Sequence, residues 1–155
     1  MELETERLLI RNMKPEDISS LAGVYGDPEV MRYLQPPFDL KKTELFVKQY
    51  GLSPNPLIYG IVDKKSGKPI GHLIFHPFDA VSHEVGWVLA KAYWNQGLAS
   101  EMTEAIKKEA KDKGIKRLVI ECDPEQEASK AIALKEGFAY HGKEDNLEVY
   151  FYEIN

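Results

Sequence analysis

One stretch changes its repeat, and that change constrains the fold more than any other feature of the chain. Glu84-Val85-Gly86-Trp87-Val88-Leu89 reads as a strand. Leu98, Met102, Ala105, Ile106 and Ala110 then recur at helical spacing. Between them lies Tyr93-Trp94-Asn95-Gln96-Gly97-Leu98-Ala99-Ser100-Glu101. Gly97 and Ala99 leave the backbone accessible there. The first turn of a helix carries N–H groups without partners and the positive end of the helix dipole. A strand that turns through small residues into a helix is therefore either a seat for an anion such as phosphate or a tight connection whose glycine serves packing. Two phosphate motifs are excluded. The Gly67-Lys68 pair runs into Pro69 rather than Ser or Thr, and no triple-glycine dinucleotide fingerprint follows a first strand.

The 155 residues suit one domain, 1–155, with a sizeable core. The longest apolar runs fall short of the ~20 residues of a membrane span. The acidic start, Met1-Glu2-Leu3-Glu4, carries no apolar leader, and the single cysteine, Cys122, fits a reducing cytoplasm. A net charge of −5 disfavours nucleic acid and favours a cationic or neutral substrate.

Taken in order, Leu3–Arg11 reads as a first strand, with Leu8 and Ile10 on one face. Pro15 opens a helix with the stripe Ile18, Leu21, Ala22 and Tyr25. Asp27-Pro28 signals a short second helix, and residues 39–50 a third with Leu45, Phe46 and Gln49 or Tyr50 inward. Residues 57–63 and 70–76 form a hairpin, and residues 84–89 the next strand. The helix from Gln96 to Lys113 carries Glu104–Lys108 and Glu109–Lys113 pairs and stops at Gly114. A strand follows over 116–122. Asp123 caps a helix bearing Ala128, Ala131, Ile132 and Leu134, which stops at Gly137. Residues 138–141 and 147–152 are closing antiparallel strands around Gly142–Asn146. This order predicts an α/β mixed sheet with helices on both faces and one parallel pair.

The order of elements, with that loop in that place, resembles the Gcn5-related N-acetyltransferases (GNAT), in particular their ribosomal-protein N-terminal acetyltransferase (RimJ/RimL-like) subgroup. The likeness is carried by Glu4-Thr5-Glu6-Arg7-Leu8-Leu9-Ile10-Arg11, by residues 84–89 and 93–101, and by Glu127-Ala128-Ser129 through Lys135-Glu136-Gly137-Phe138. It implies a mostly antiparallel sheet with a central, splayed parallel pair, and acetyl-CoA as acetyl donor. Backbone N–H groups from Asn95, Gln96, Gly97, Leu98, Ala99 and Ser100 would hold the pyrophosphate. Trp94 stands where many members carry Gln or Arg. The pantetheine arm would lie along Trp87-Val88-Leu89, with an N–H near Trp87 or Val88 as oxyanion donor. Transfer to a primary amine would be direct, without an acyl-enzyme. The acceptor would be a peptide N-terminus or a small-molecule amine, and homodimers are common among relatives.

For proton handling the resemblance points to Glu84 as base or cation anchor and Ser129 as donor to the thiolate. Each has a plainer alternative: a strand-edge glutamate in solvent, and a helix serine bonded to its own backbone. The tyrosine acid of another branch is replaced by Ala133. Gln126 stands at a position usually held by a pantetheine-binding asparagine, or it completes a cap with Asp123. Cys122 reads as a structural thiol. His72 and His76 lie roughly 13 Å apart on one strand, too far to share a metal, and one histidine could line the acceptor site. Tyr25, Tyr33 and Phe38 are candidates for the acceptor pocket. A rival reading is an acyl-CoA-binding module without turnover.

Overall fold

The computed structural model describes all residues, Met1–Asn155. The expected first strand is broken in two. β1 (Leu3–Glu4) turns at once into β2 (Leu8–Arg11), antiparallel to it, with Leu3 opposite Ile10. Thr5 makes the turn: its N–H donates to the Leu8 carbonyl at 2.9 Å, and Leu8 N–H donates to Thr5 Oγ1 at 3.0 Å. A threonine hydroxyl that closes a local turn competes with the ladder, and alternating charges in the sequence hide this. β3 (Ile58–Asp63) and β4 (Pro69–Pro77) form the expected hairpin.

The chain divides into two compact units, Met1–Ile74 with Trp87–Leu98, and Phe75–Gly86 with Ala99–Asn155. In the first, β2 pairs antiparallel with β3, and β3 with β4. Helices α1 (Ile18–Tyr25) and α2 (Leu40–Tyr50) complete its core, in which Leu21, Val24, Val47 and Ile58 are buried. Each such aliphatic side chain contributes about 1.5–3 kcal/mol on burial. Asp39 caps α2 by accepting from Lys42 N–H at 2.8 Å. The inward face of α2 is Thr43 and Val47 with Phe46 and Tyr50 packed alongside, and Leu45 is exposed, against expectation. No helix forms at Asp27-Pro28. Asp27 Oδ1 accepts from Glu29 N–H at 2.9 Å, a local turn that holds the segment as successive turns to Leu34.

In the second unit, β5 (Ser82–Leu89) enters parallel to β6 (Arg117–Cys122), β6 pairs antiparallel with β8 (Leu147–Glu153), and β7 (Ala139–Glu144) pairs with β8. Following β4 and β5, which run through both units, the strand order is β1-β2-β3-β4-β5-β6-β8-β7. α3 spans Leu98–Asp112 and α4 spans Glu127–Lys135. Glu104 pairs with Lys107 rather than with Lys108 as expected, at 3.4 Å, while the Glu109–Lys113 pair forms at 3.5 Å. α4 starts later than its sequence suggests, with Gln126 rather than Asp123 at the cap position, because Asp123 Oδ1 is spent on Glu125 N–H at 2.9 Å. Its stripe is also rotated: Ala133 is buried, whereas Ala128, Ala131 and Leu134 are exposed. The last hairpin turns on Asp145 and Asn146 alone, both left-handed with φ of 50° and 66°. Gly142, expected in the loop, lies within β7 at a register shift.

Candidate active site

β5 leaves the sheet at Leu89 and makes one 3-10 turn at Lys91–Tyr93. It then crosses Trp94–Gly97 into α3. Trp94 braces this crossing, its indole N–H donating to the Leu89 carbonyl at 2.8 Å. Tyr93 OH donates to Asp63 Oδ2 at 2.9 Å and ties the loop to the end of β3. Gln96 Nε2 donates to the Ala92 carbonyl, also at 2.9 Å. Asn95 and Gly97 are left-handed, with φ of 59° and 81°. Asparagine and glycine tolerate that region best, which accounts for the residue choice at both points.

The loop suits a phosphate-bearing group. Asn95, Gln96 and Gly97 are exposed, and the first-turn N–H groups of α3 begin beyond them. Ser100 Oγ, in that first turn, is buried without a hydrogen-bond partner. An orphaned hydroxyl beside unpaired N–H groups is the donor set that an anion satisfies. A hollow of about 580 Å³ adjoins the loop, lined by Arg7, Asp63, Lys64, Lys65, Tyr93 and Gln96 among others. Gln96 lends its side chain to the loop itself, and Leu98 is a buried core residue, which leaves the backbone as what each can offer a ligand.

Upstream, β5 pairs with β6 at Ser82↔Arg117, His83↔Leu118 and Glu84↔Val119, while β5 itself continues to Leu89. Val88 and Leu89 are buried. The Val88 carbonyl occupies the place where a side chain on Gly71 would begin, a close approach that only glycine allows.

Glu84 stands on β5 with its side chain 22% exposed, and His76 Nε2 lies 3.8 Å from Glu84 Oε1. Burial raises the Glu84 carboxyl above the usual carboxylate range, and attraction from His76 opposes this. Glu121 is raised as well, first by burial and then by repulsion from Glu84. A partly buried carboxylate with a raised pKa is a stronger base than an exposed one, and its place beside an imidazole marks a candidate for proton handling. Burial pushes the Cys122 thiol up to about 11, so it stays protonated.

Ser129 lies half-buried in the first turn of α4, and Gln126 makes no side-chain cap bond. Tyr33 is half-buried under the Arg32 guanidinium, 5.3 Å from its ring centroid. Tyr25 and Phe38, expected at an acceptor pocket, are core residues, 1% and 5% exposed, in an edge-to-face cluster with Phe46. The helix pattern around Tyr25 allows either role, and packing against α2 decides it. Sequence reasoning missed Arg7, whose Nη1 donates to the Gln96 carbonyl at 2.9 Å across 89 residues of chain, and the pairing of His76 with Glu84. Nothing in the local sequence announces either contact.

Comparison with known proteins points the same way. A family model described as an acetyltransferase (GNAT) domain matches residues 7–139. The uncharacterized N-acetyltransferase YnaD of Bacillus subtilis is 29% identical over 92% of this chain and 85% of its own. A GNAT-family acetyltransferase from Bacillus anthracis superposes with a TM-score of 0.86 at 27% identity, covering 99% of this chain and 98% of its own. RimL, a ribosomal L7/L12 alpha-N-protein acetyltransferase solved with coenzyme A, shares the fold at a TM-score of 0.82 and 19% identity, with 99% and 98% covered.

Proposed function

The chain belongs to the GNAT acetyltransferase family, and from that premise we propose that it is an acetyl-CoA-dependent N-acetyltransferase acting directly on a primary amine, in a small molecule or at a peptide N-terminus. The observation that carries the reading is the Trp94–Gly97 loop. It combines exposed backbone, two left-handed residues and an orphaned Ser100 hydroxyl at the start of a long helix. The coenzyme A bound by RimL, a neighbour in fold, supports the same ligand class.

Acetyl-CoA, when bound, supplies an acetyl group already activated as a thioester. The backbone from Asn95 to Ser100 holds its pyrophosphate, and Trp87-Val88-Leu89 offers backbone to the pantetheine amides. Glu84 anchors the incoming ammonium and takes its proton, and the burial that raises its pKa makes it a stronger base than an exposed carboxylate. His76 beside it stabilises the carboxylate once the proton has moved on. Ser129 Oγ is the proton donor on the thiol side, and Tyr33 borders the acceptor. Cys122 is left out of the chemistry because its thiolate is inaccessible near neutral pH. Residues 1–155 act as one catalytic domain, since the family match runs through both compact units, and the lone Cys122 favours the cytoplasm.

An amine panel tests this. Purified protein is incubated with acetyl-CoA and amino acids, polyamines, aminoglycosides and short peptides, and free thiol is measured. Release above the amine-free rate for at least one class is the expected result. Tight coenzyme A binding with no thiol release on any amine would replace the enzyme by a binding module.

A further inference from the structure

Arg7 lies just before β2, far in sequence from the loop, yet it reaches it. Its Nη1 donates to the Gln96 carbonyl at 2.9 Å, and a side chain on Gly97 would sit 3.6 Å from its Nη2. In a trans peptide the carbonyl of one residue and the N–H of the next point in opposite directions. A guanidinium that draws the Gln96 carbonyl toward itself therefore turns the Gly97 N–H away from Arg7, at the start of α3. The same bond engages the negative end of the Gln96 carbonyl, and it brings a permanent positive charge to the helix N-terminus. Tyr93, held by Asp63 at 2.9 Å, fixes the other end of the loop. The left-handed pair Asn95 and Gly97 is thus clamped from both sides.

We infer that Arg7 is a positioning residue for the pyrophosphate loop, setting the Gln96–Gly97 peptide so that its N–H is presented to the diphosphate of coenzyme A. This rests on the reading of that loop given above. Arg7 acts through the loop backbone, so its removal weakens diphosphate recognition and leaves the pantetheine arm and the chemistry untouched.

Binding of coenzyme A, 3′-dephospho-coenzyme A and pantetheine is measured by calorimetry or NMR titration for the unaltered chain, Arg7→Met and Arg7→Lys. Expected is a Kd for coenzyme A raised about tenfold in Arg7→Met, as for loss of one charge-assisted hydrogen bond. The same factor is expected for the dephospho form, with no change for pantetheine. Arg7→Lys, which keeps charge but loses the fork, falls between, so the inference stays open to refutation should Arg7→Met fold poorly. With an amine that is turned over, KM for acetyl-CoA rises while kcat holds. An unchanged Kd for coenzyme A in both variants overturns the inference. An equal loss for pantetheine overturns it too, since that is general damage. A loss that vanishes with the dephospho form shows instead that Arg7 touches the 3′-phosphate directly. Failure of the unaltered chain to bind coenzyme A sinks the loop reading itself, a different outcome from any of these.

Discussion

At Glu84 stability and the proposed catalysis pull in opposite directions. Burial raises its carboxyl pKa, so the folded chain takes up this proton at a higher pH than the unfolded chain. The stability this provides is full below the ordinary carboxylate pKa and is lost as pH rises through the raised one. At pH 7–8 the buried charge is therefore a cost to folding. Glu84→Gln removes it, and the expected variant unfolds at the same or higher denaturant concentration than the unaltered chain at pH 8. Its kcat/KM falls about 10²-fold, with the deficit largest at low pH, where the amine is mostly protonated. A pH–rate profile unchanged by the substitution would remove Glu84 as the base. A variant less stable at pH 8 would show that its carboxylate is satisfied in the fold.

Between elements, the tie from α3 to the end of α4 rests on a half-buried lysine. Lys107 Nζ donates to the Glu136 carbonyl at 2.6 Å and lies 3.3 Å from Glu136 Oε1 and 4.5 Å from the centre of the Tyr152 ring. The two side chains are 15% and 6% exposed. Removing one partner of such a pair leaves the other charge uncompensated, at a cost of about 3–5 kcal/mol. Lys107→Met is expected to lower stability by that order in urea titration, and adding Glu136→Gln to recover part of it. Equal stability of Lys107→Met and the unaltered chain would place this pair among contacts that contribute nothing. The late start of α4 belongs to the same scale. Asp123 could cap a helix or close a turn, and only the route of the chain out of β6 decides between them.

The stability of the whole molecule in acid depends on a buried pair in the first unit. Tyr25 OH and His72 Nδ1 are 2.5 Å apart, and burial holds the His72 pKa down at about 4. The unfolded chain binds this proton near the ordinary 6.5. Stability from keeping His72 neutral is thus present above pH 6.5 and is lost as pH falls toward 4, on the order of 3 kcal/mol. Denaturant midpoints at pH 7 and pH 4.5 are expected to fall less for the Tyr25→Phe, His72→Phe double variant than for the unaltered chain. A parallel fall in both proteins would clear His72 of this role. Much of the architecture was legible from periodicity: the 58–63 and 69–77 hairpin, the strand into the loop, the long α3 and the parallel β5–β6 pair. These are local patterns of period 2 and 3.6, stopped by glycines such as Gly114 and Gly137, whose left-handed φ of 75° and 87° ends each helix. The loop was legible for the same reason, since its glycine and small residues act where they stand. The break at Thr5, the turns after Asp27, the rotated face of α4 and the burial of Phe38 were not, because each is a choice between two locally acceptable conformations made by packing. The contacts of Arg7 with Gln96 and of His76 with Glu84 lie beyond sequence altogether: a side chain's own type says what it can bond, and only the folded path of the backbone says what it meets.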